Sequence, residues 1–503
     1  MLTLSPALSR ERSFGLAGTL FKAFCIFLLV ATPVFGVWLG SSLAAYAGKS
    51  VGLPIAAGLL LFPGLPLAWE GWARWRESKR KVRKKRFLTF FDRLVLRTLA
   101  INALFLITLL GLFPQRAFVA LSTRGDWMLD GHHGPTAEST RKVLLTFAGA
   151  VEWLYDASHD NPYRDKEKES DEQPTPSPTP TPTPVPKPVP TPVASTSSSA
   201  PPPEEPPPPV APPGQHWPMP ATLHPVVTSM PPEVEVSIPS VGKYIAERES
   251  DPFLRVKALH DWVADRIAYN APSLKLARIP QADGDADSVF RTRKGVCAGY
   301  AHLMQELGKA TGDKIVYVVG DARSQSSPME AEGHAWNAVQ INGAWYLIDA
   351  TWDAGSVGDY TFTKRYSTDY LFTPAHVFAV QHFPDQPKWQ LLEKPIDRTE
   401  FFRRPVLAPS FFARDLTLKN PDRSQVTSSG TLDVLIGNPQ NTFLLVAYEP
   451  KQGGKSERCT TNKHTTAHCT FPAAGTYDVN FFVNEKELGQ YAYAGSVQVN
   501  ARP

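Results

Sequence analysis

Cysteine is scarce in this chain, four residues in 503, and neither sign of charge dominates, the formal net charge being +4. The first scarcity excludes a fold held by a disulfide framework. The second leaves no overall basic field for nucleic acid. The first apolar segment lacks a clear cleavage site, which argues against a removable signal peptide. The cysteines then sort by context. Cys25 lies in an apolar stretch and reads as an inert small hydrophobe. Cys459 and Cys469 are close enough to pair in an oxidising compartment, which leaves Cys297 as the one unpaired thiol beyond the apolar segments.

Long apolar runs and proline are what the chain has in plenty. Three stretches, Phe21–Ala47, Val51–Trp69 and Leu94–Phe113, reach the ~20 residues needed to cross a bilayer. Pro54, Pro63 and Pro66 predict a kink or partial insertion in the second, and Arg97 in the third is expected to extend towards the interface. Basic residues concentrate before the first stretch (Arg10, Arg12, Lys22) and between the second and third, from Arg74 to Arg86. Both loops then belong in the cytoplasm, and everything after Phe113 lies outside it. Residues 1–113 thus read as a multi-pass anchor in the cell (inner) membrane, with the lipid bilayer as partner.

Residues 114–172 read as a juxtamembrane helical segment, with Val143, Leu144, Phe147, Val151 and Leu154 at helical spacing. His132-His133 beside Asp130 lacks the framework of a metal site. Residues 173–220, rich in Pro, Thr, Ser and Val, are expected to be a disordered linker. At ~3.1 Å per residue it reaches on the order of 100 Å. Residues 221–400 mix helix and strand. Val234, Val236 and Ile238 alternate like a strand, Asp251-Pro252 opens a helix, Asp287 caps a segment through Arg293, and Ala298–Lys309 reads as a helix. Lys314–Gly320 reads as a strand, and Asn342-Gly343 joins His334–Ile341 to Ala344–Trp352 as a hairpin. Residues 401–503 read as an all-β sandwich of immunoglobulin-like type, with strands Leu432–Ile436, Phe443–Tyr448, Tyr477–Val483 and Tyr491–Val499.

Cys297 sits where a helix begins, in Gly295-Val296-Cys297-Ala298-Gly299-Tyr300. Unpaired amides and the helix dipole there suit a thiolate nucleophile, and the Cys297 amide is placed to donate to an oxyanion. Trp262 is the guess for the second donor. A two-residue turn pairs Ile341 with Ala344, and counting back sets His334 opposite Thr351 and Trp336 opposite Asp349. His334 and Asp349 become diagonal neighbours on one face, ~7–8 Å apart at the backbone. Thiol, imidazole and carboxylate then have the roles of nucleophile, acid–base and orienting group. Asp353, beyond the strand end, is the second choice of carboxylate. Trp336 and Trp352 are expected to wall a groove. Cys459, His464, His468 and Cys469 include zinc-type ligands, but adjacent residues of a strand point apart, so a disulfide is preferred and no metal or other cofactor is called for.

The motifs Gly295–Tyr300, His334-Ala335-Trp336-Asn337-Ala338-Val339 and Trp345–Trp352 resemble the transglutaminase-like superfamily, with its papain-like Cys-His-Asp arrangement. Asp349-Ala350-Thr351-Trp352-Asp353-Ala354-Gly355, Tyr370-Leu371-Phe372 and His382-Phe383-Pro384 are similar to its kyphoscoliosis-peptidase branch. The resemblance covers roughly residues 221–400. It implies an α+β fold, Cys297, His334 and Asp349 as the catalytic set, and acyl transfer from an amide carbonyl to water or an amine. No calcium loop is evident, so hydrolysis stands at least level with cross-linking. The expected substrate is a protein or a cell-wall peptide; the rival expectation is a non-catalytic binding module of the envelope.

Overall fold

The computed structural model describes residues 16–49, 52–79, 88–132, 134–164, 217–276 and 278–502. Arg10, Arg12, Arg80–Arg86 and all of the expected linker before Trp217 lie outside these residues. The chain divides into two units: one of residues 1–160, 397–405 and 417–503, the other of 161–396 and 406–416.

In the first unit the expected spans are helical. A helix covers Leu16–Tyr46, and Gly52–Leu59 continues through a π-helical turn at Leu60–Gly64, which contains Pro63, into Leu65–Ser78. Thr89 caps Phe90–Leu112 by accepting from the Asp92 amide while Asp92 returns the bond. This is the one helix among the described residues long and apolar enough to cross a membrane. Arg97 pairs with Glu70, a buried carboxylate that also takes Arg93 at 2.8 Å and Arg74 at 3.0 Å. A buried acid is satisfied by the nearest guanidinium in preference to leaving it unpaired.

The expected juxtamembrane helix is broken in two, Pro135–Gly149 and Glu152–Ser158. The β-rich region contains all four expected strands, as Thr431–Gly437, Phe443–Pro450, Gly475–Asn484 and Ala492–Ala501. They belong to two sheets: the first strand pairs with Thr466–Thr470, and the other three run side by side, all antiparallel. Alternate residues are buried along Thr466–Thr470. His468 points out to Asp433 while Cys469 points in and closes a disulfide with Cys459.

The second unit is helices laid on a five-stranded antiparallel sheet of order Leu371–Thr373, Ala344–Ile348, Glu332–Ile341, Lys314–Ala322, His382–Pro384. Asp251 caps Pro252–Arg266 as expected, its carboxylate accepting from the amides of Phe253 and Leu254. The strand expected around Val234 is absent: Ser237 and Ser240 form a reciprocal cap that starts a helix at Ile238–Arg248. Local capping here overrides a short alternating pattern. Asp285, not Asp287, caps Ala286–Thr292 by accepting from Ser288. Trp262, Leu303, Met304, Leu307, Val339 and Ile348 are fully buried where the helices meet the sheet.

Candidate active site

The helix that carries the candidate thiol runs Cys297–Thr311, so Cys297 occupies its first position. It starts there because Val296 is extended and its carbonyl accepts from the amides of Gly299 and Tyr300. The preceding turn is pinned by the Val296 amide donating to the Asp283 carbonyl at 2.9 Å. A Cβ on Gly299 would lie 2.4 Å from that same oxygen, which is why a side chain is excluded beside the thiol. Asn337 Nδ2 donates to the carbonyls of Ala301 (2.9 Å) and Val316 (3.1 Å), fastening this helix to the sheet one turn beyond the cysteine.

The hairpin forms in the expected register, Ile341 with Ala344 and Asn337 with Ile348. Asn342 and Gly343 both have positive φ, 52° and 83°, the conformation a two-residue turn of the right twist demands. Beyond Ile348 the expectation fails: the strand stops, and Ala350–Ala354 is a helical turn, so Thr351 and Trp352 never pair across from His334. The cause is Asp349 itself. Its Oδ1 accepts from the amides of Thr351 (2.9 Å) and Trp352 (3.2 Å), capping the turn, and this leaves Oδ2 facing His334.

His334 Nε2 donates to Asp349 Oδ2 at 2.7 Å, and the imidazole is also hydrogen-bonded to the Cys297 sulfur. The three sequence-predicted residues are therefore in contact, with His334 between the other two. Burial opposes a charge on His334, but Asp349 and then Cys297 outweigh it and lift the imidazole to about 10. Burial likewise opposes the charge on Asp349, yet His334 and His382 hold its carboxyl well below the usual range. These are the features of an imidazole kept charged between sulfur and carboxylate.

Two participants escaped the sequence. His382 Nε2 donates to the same Asp349 Oδ2 at 3.0 Å, and its ring stacks on Phe378 at 3.9 Å. Burial pushes its imidazole down to about 4, so it is neutral at pH 7 and serves as a fixed donor. Tyr269, on the short strand Ala268–Tyr269, presents its hydroxyl to the Cys297 backbone amide, the expected oxyanion donor. Trp262 is elsewhere: it is fully buried, stacked on Phe290 at 5.4 Å with the Arg293 guanidinium over it at 4.7 Å. His382 was visible only as part of a family-like motif, and nothing in the spacing marked Tyr269.

The aromatic residues divide as well. Trp336 is buried beneath the histidines rather than lining an open groove, whereas Trp352 is half-buried, 5.5 Å from His334 and 4.5 Å from His382. Asp353 is committed to another task. Its Oδ2 meets His260 Nε2 at 3.1 Å in a fully buried cluster with Asp261, and its carboxylate accepts from the Tyr370 amide. The Tyr370 carbonyl in turn accepts from the Asp349 amide at 2.9 Å, so this cluster supports the Asp349 carboxylate from below. His334, Asp349 and His382 also place one possible ligand atom each within 4.8 Å of the others. The hydrogen bonds of both histidines to Asp349 Oδ2 account for this grouping.

Residues 239–350 match the model of the transglutaminase-like superfamily core. The kyphoscoliosis peptidases of Mus musculus and Homo sapiens are 31% and 30% identical over 221 and 210 residues, covering 42% and 39% of this chain. The Lim and transglutaminase domain protein ltd-1 of Caenorhabditis elegans is 23% identical over 177 residues, 33% of this chain and 23% of its own length. The chain spans about a third of the two peptidases, 33% and 31% of their lengths. A solved structure described as a TGase aligns over 26% of this chain and 34% of its own, at 20% identity and a TM-score of 0.21. This chain therefore carries a transglutaminase-like domain of the kyphoscoliosis-peptidase-like branch of that superfamily.

Proposed function

We propose that the chain is a membrane-anchored thiol enzyme that opens amide bonds of a protein or cell-wall peptide. The Cys297 thiolate attacks the carbonyl carbon, and the negative oxygen that forms is met by the Cys297 amide and the Tyr269 hydroxyl. The His334 imidazolium gives its proton to the departing amine, leaving an acyl thioester on Cys297. Neutral His334 then takes a proton from water or an incoming amine, whose attack releases the product and restores the thiolate. Asp349 keeps the imidazole ring aligned throughout. The observation that carries the reading is the buried His334 bridging Cys297 and Asp349.

The membrane part of the reading rests on the helix Phe90–Leu112 and on the basic run that precedes it in sequence. With that run in the cytoplasm, the segment after Leu112 emerges on the other side. The Cys459–Cys469 disulfide suits an oxidising compartment such as that side provides.

The test is turnover of peptide and wall-fragment libraries by the full chain in detergent or vesicles, with mass spectrometry of trapped acyl-enzyme. Cys297→Ala should abolish both the product and the trapped adduct. Equal turnover by wild type and Cys297→Ala, or none by wild type on any library, would leave the domain as a binding module.

A further inference from the structure

Cys297 is 1% exposed, so no acyl donor reaches its sulfur as the site stands. Its cover is the tetrapeptide Asn161-Pro162-Tyr163-Arg164, the first four residues of this unit in sequence, separated from Trp217 by residues 165–216. The Tyr163 ring packs with Val296, Ala298, Ala301, Tyr317 and Val319 around the cysteine, and its hydroxyl is hydrogen-bonded to the thiol. It also meets the Tyr269 hydroxyl, so the place where an oxyanion would form is filled too.

Each end of this strap is fastened by a group of general character. Asn161 Nδ2 donates to the Gly320 carbonyl at 2.8 Å, and its Oδ1 accepts from the Tyr163 amide at 3.0 Å. Gly333, next to His334, leaves room for it: a Cβ there would lie 2.7 Å from Asn161 Oδ1. Arg164 grips Asp385 with two nitrogens, at 2.6 and 3.0 Å. A main-chain carbonyl, a bare glycine and one acid are features that a foreign peptide can also satisfy. The Arg164 side chain is 35% exposed, and an ion pair of that kind holds weakly and yields to salt.

We propose that the cleft over Cys297 binds an extended polypeptide in which a basic residue follows the one that reaches the thiol, and that Asn161–Arg164 is its resident, self-inhibiting occupant. The substrate must displace the strap, and Asp385 selects for the basic residue. The consequence for catalysis rests on the proposed function, but occupancy of the cleft does not.

The test is the second-order rate of iodoacetamide alkylation at Cys297 in the full chain, followed by mass spectrometry. Arg164→Glu should raise the rate about threefold to fivefold, and Asp385→Arg should do the same, the range a part-exposed ion pair supplies. The double exchange Arg164→Glu with Asp385→Arg should return it to within about twofold of wild type, which a merely misfolded variant would not do. Blocked Asn-Pro-Tyr-Arg peptide added to Arg164→Glu should slow alkylation again, while Asn-Pro-Ala-Glu should not. Single variants at the wild-type rate, a double exchange as fast as the singles, or no effect of the Tyr-Arg peptide would each overturn the proposal. Faster alkylation with no turnover in any variant would sink the enzymatic reading and leave the strap standing.

Discussion

Replacing Asp349 by Asn separates the chemical role of this residue from its structural one. The carboxylate has two sides: Oδ1 caps the Ala350–Ala354 turn, and Oδ2 receives both histidines. An amide retains an oxygen for the Thr351 and Trp352 amides but loses the charge that faces His334. His334 stands at about 10 against an ordinary 6.5. At 1.36 kcal/mol per pKa unit, that is about 5 kcal/mol in favour of the imidazolium. With Asp349 neutral, burial, the largest influence on the ring, prevails and His334 loses its proton at pH 7. A thiol without a charged partner is only a few per cent thiolate at that pH. Alkylation of Cys297 at pH 7 should therefore fall about thirtyfold, and turnover about a thousandfold. The strap covers variant and parent alike, so their ratio cancels access. The unfolding midpoint should fall, because at pH 7 the folded state loses the stability that the charged His334 drew from Asp349; Asp349→Ala should lose a further ~1 kcal/mol with the cap. An Asn variant that folds and alkylates within threefold of wild type would refute the ion-pair argument.

Two further variants probe the support of this carboxylate. His382→Phe keeps a ring against Phe378 but removes the donor to Asp349, and should lower turnover about tenfold, as loss of an orienting bond does. Because the His382 imidazole is held down at about 4 against 6.5 in the unfolded chain, wild type loses up to about 3 kcal/mol as pH falls through that interval. Denaturation at pH 7 and pH 4.5 should show a smaller loss in the variant; an identical loss would contradict the assignment. Asp353→Asn strips one partner from buried His260, which burial opposes but Asp261 and Asp353 lift to about 9. Wild type has this stability in full below pH 6.5 and loses it as pH rises through about 9. The variant should accordingly be about 3 kcal/mol weaker at pH 6, with the gap narrowing at pH 10; a gap independent of pH would point to packing alone.

Much of the candidate site's geometry was legible because it depends on short-range rules. Asn342-Gly343 sets the register that brings His334 and the end of the second strand to one face, and a one-residue slip would have separated them. The apolar periodicity after Cys297, with a glycine on each side of the thiol, announced a helix beginning at that cysteine. The strand expected at Val234 failed for an equally local reason, since Ser237 and Ser240 cap each other and begin a helix. Thr351 and Trp352 left the ladder because a carboxylate with two free oxygens caps a turn as readily as it orients a histidine.

Sequence by itself determined the parts: a thiol at a helix start, a histidine on a paired strand, a carboxylate just past the strand end, and the periodicities that place them. Only the tertiary structure decided who joins them. His382, Tyr269 and Tyr163 come from three remote stretches, and no spacing rule links a residue to a partner brought in by chain folding. The state of the site was decided there too. Burial and contact with charge set the ionisation of His334 and His382 in opposite directions, and both are properties of packed neighbours rather than of the order of residues along the chain.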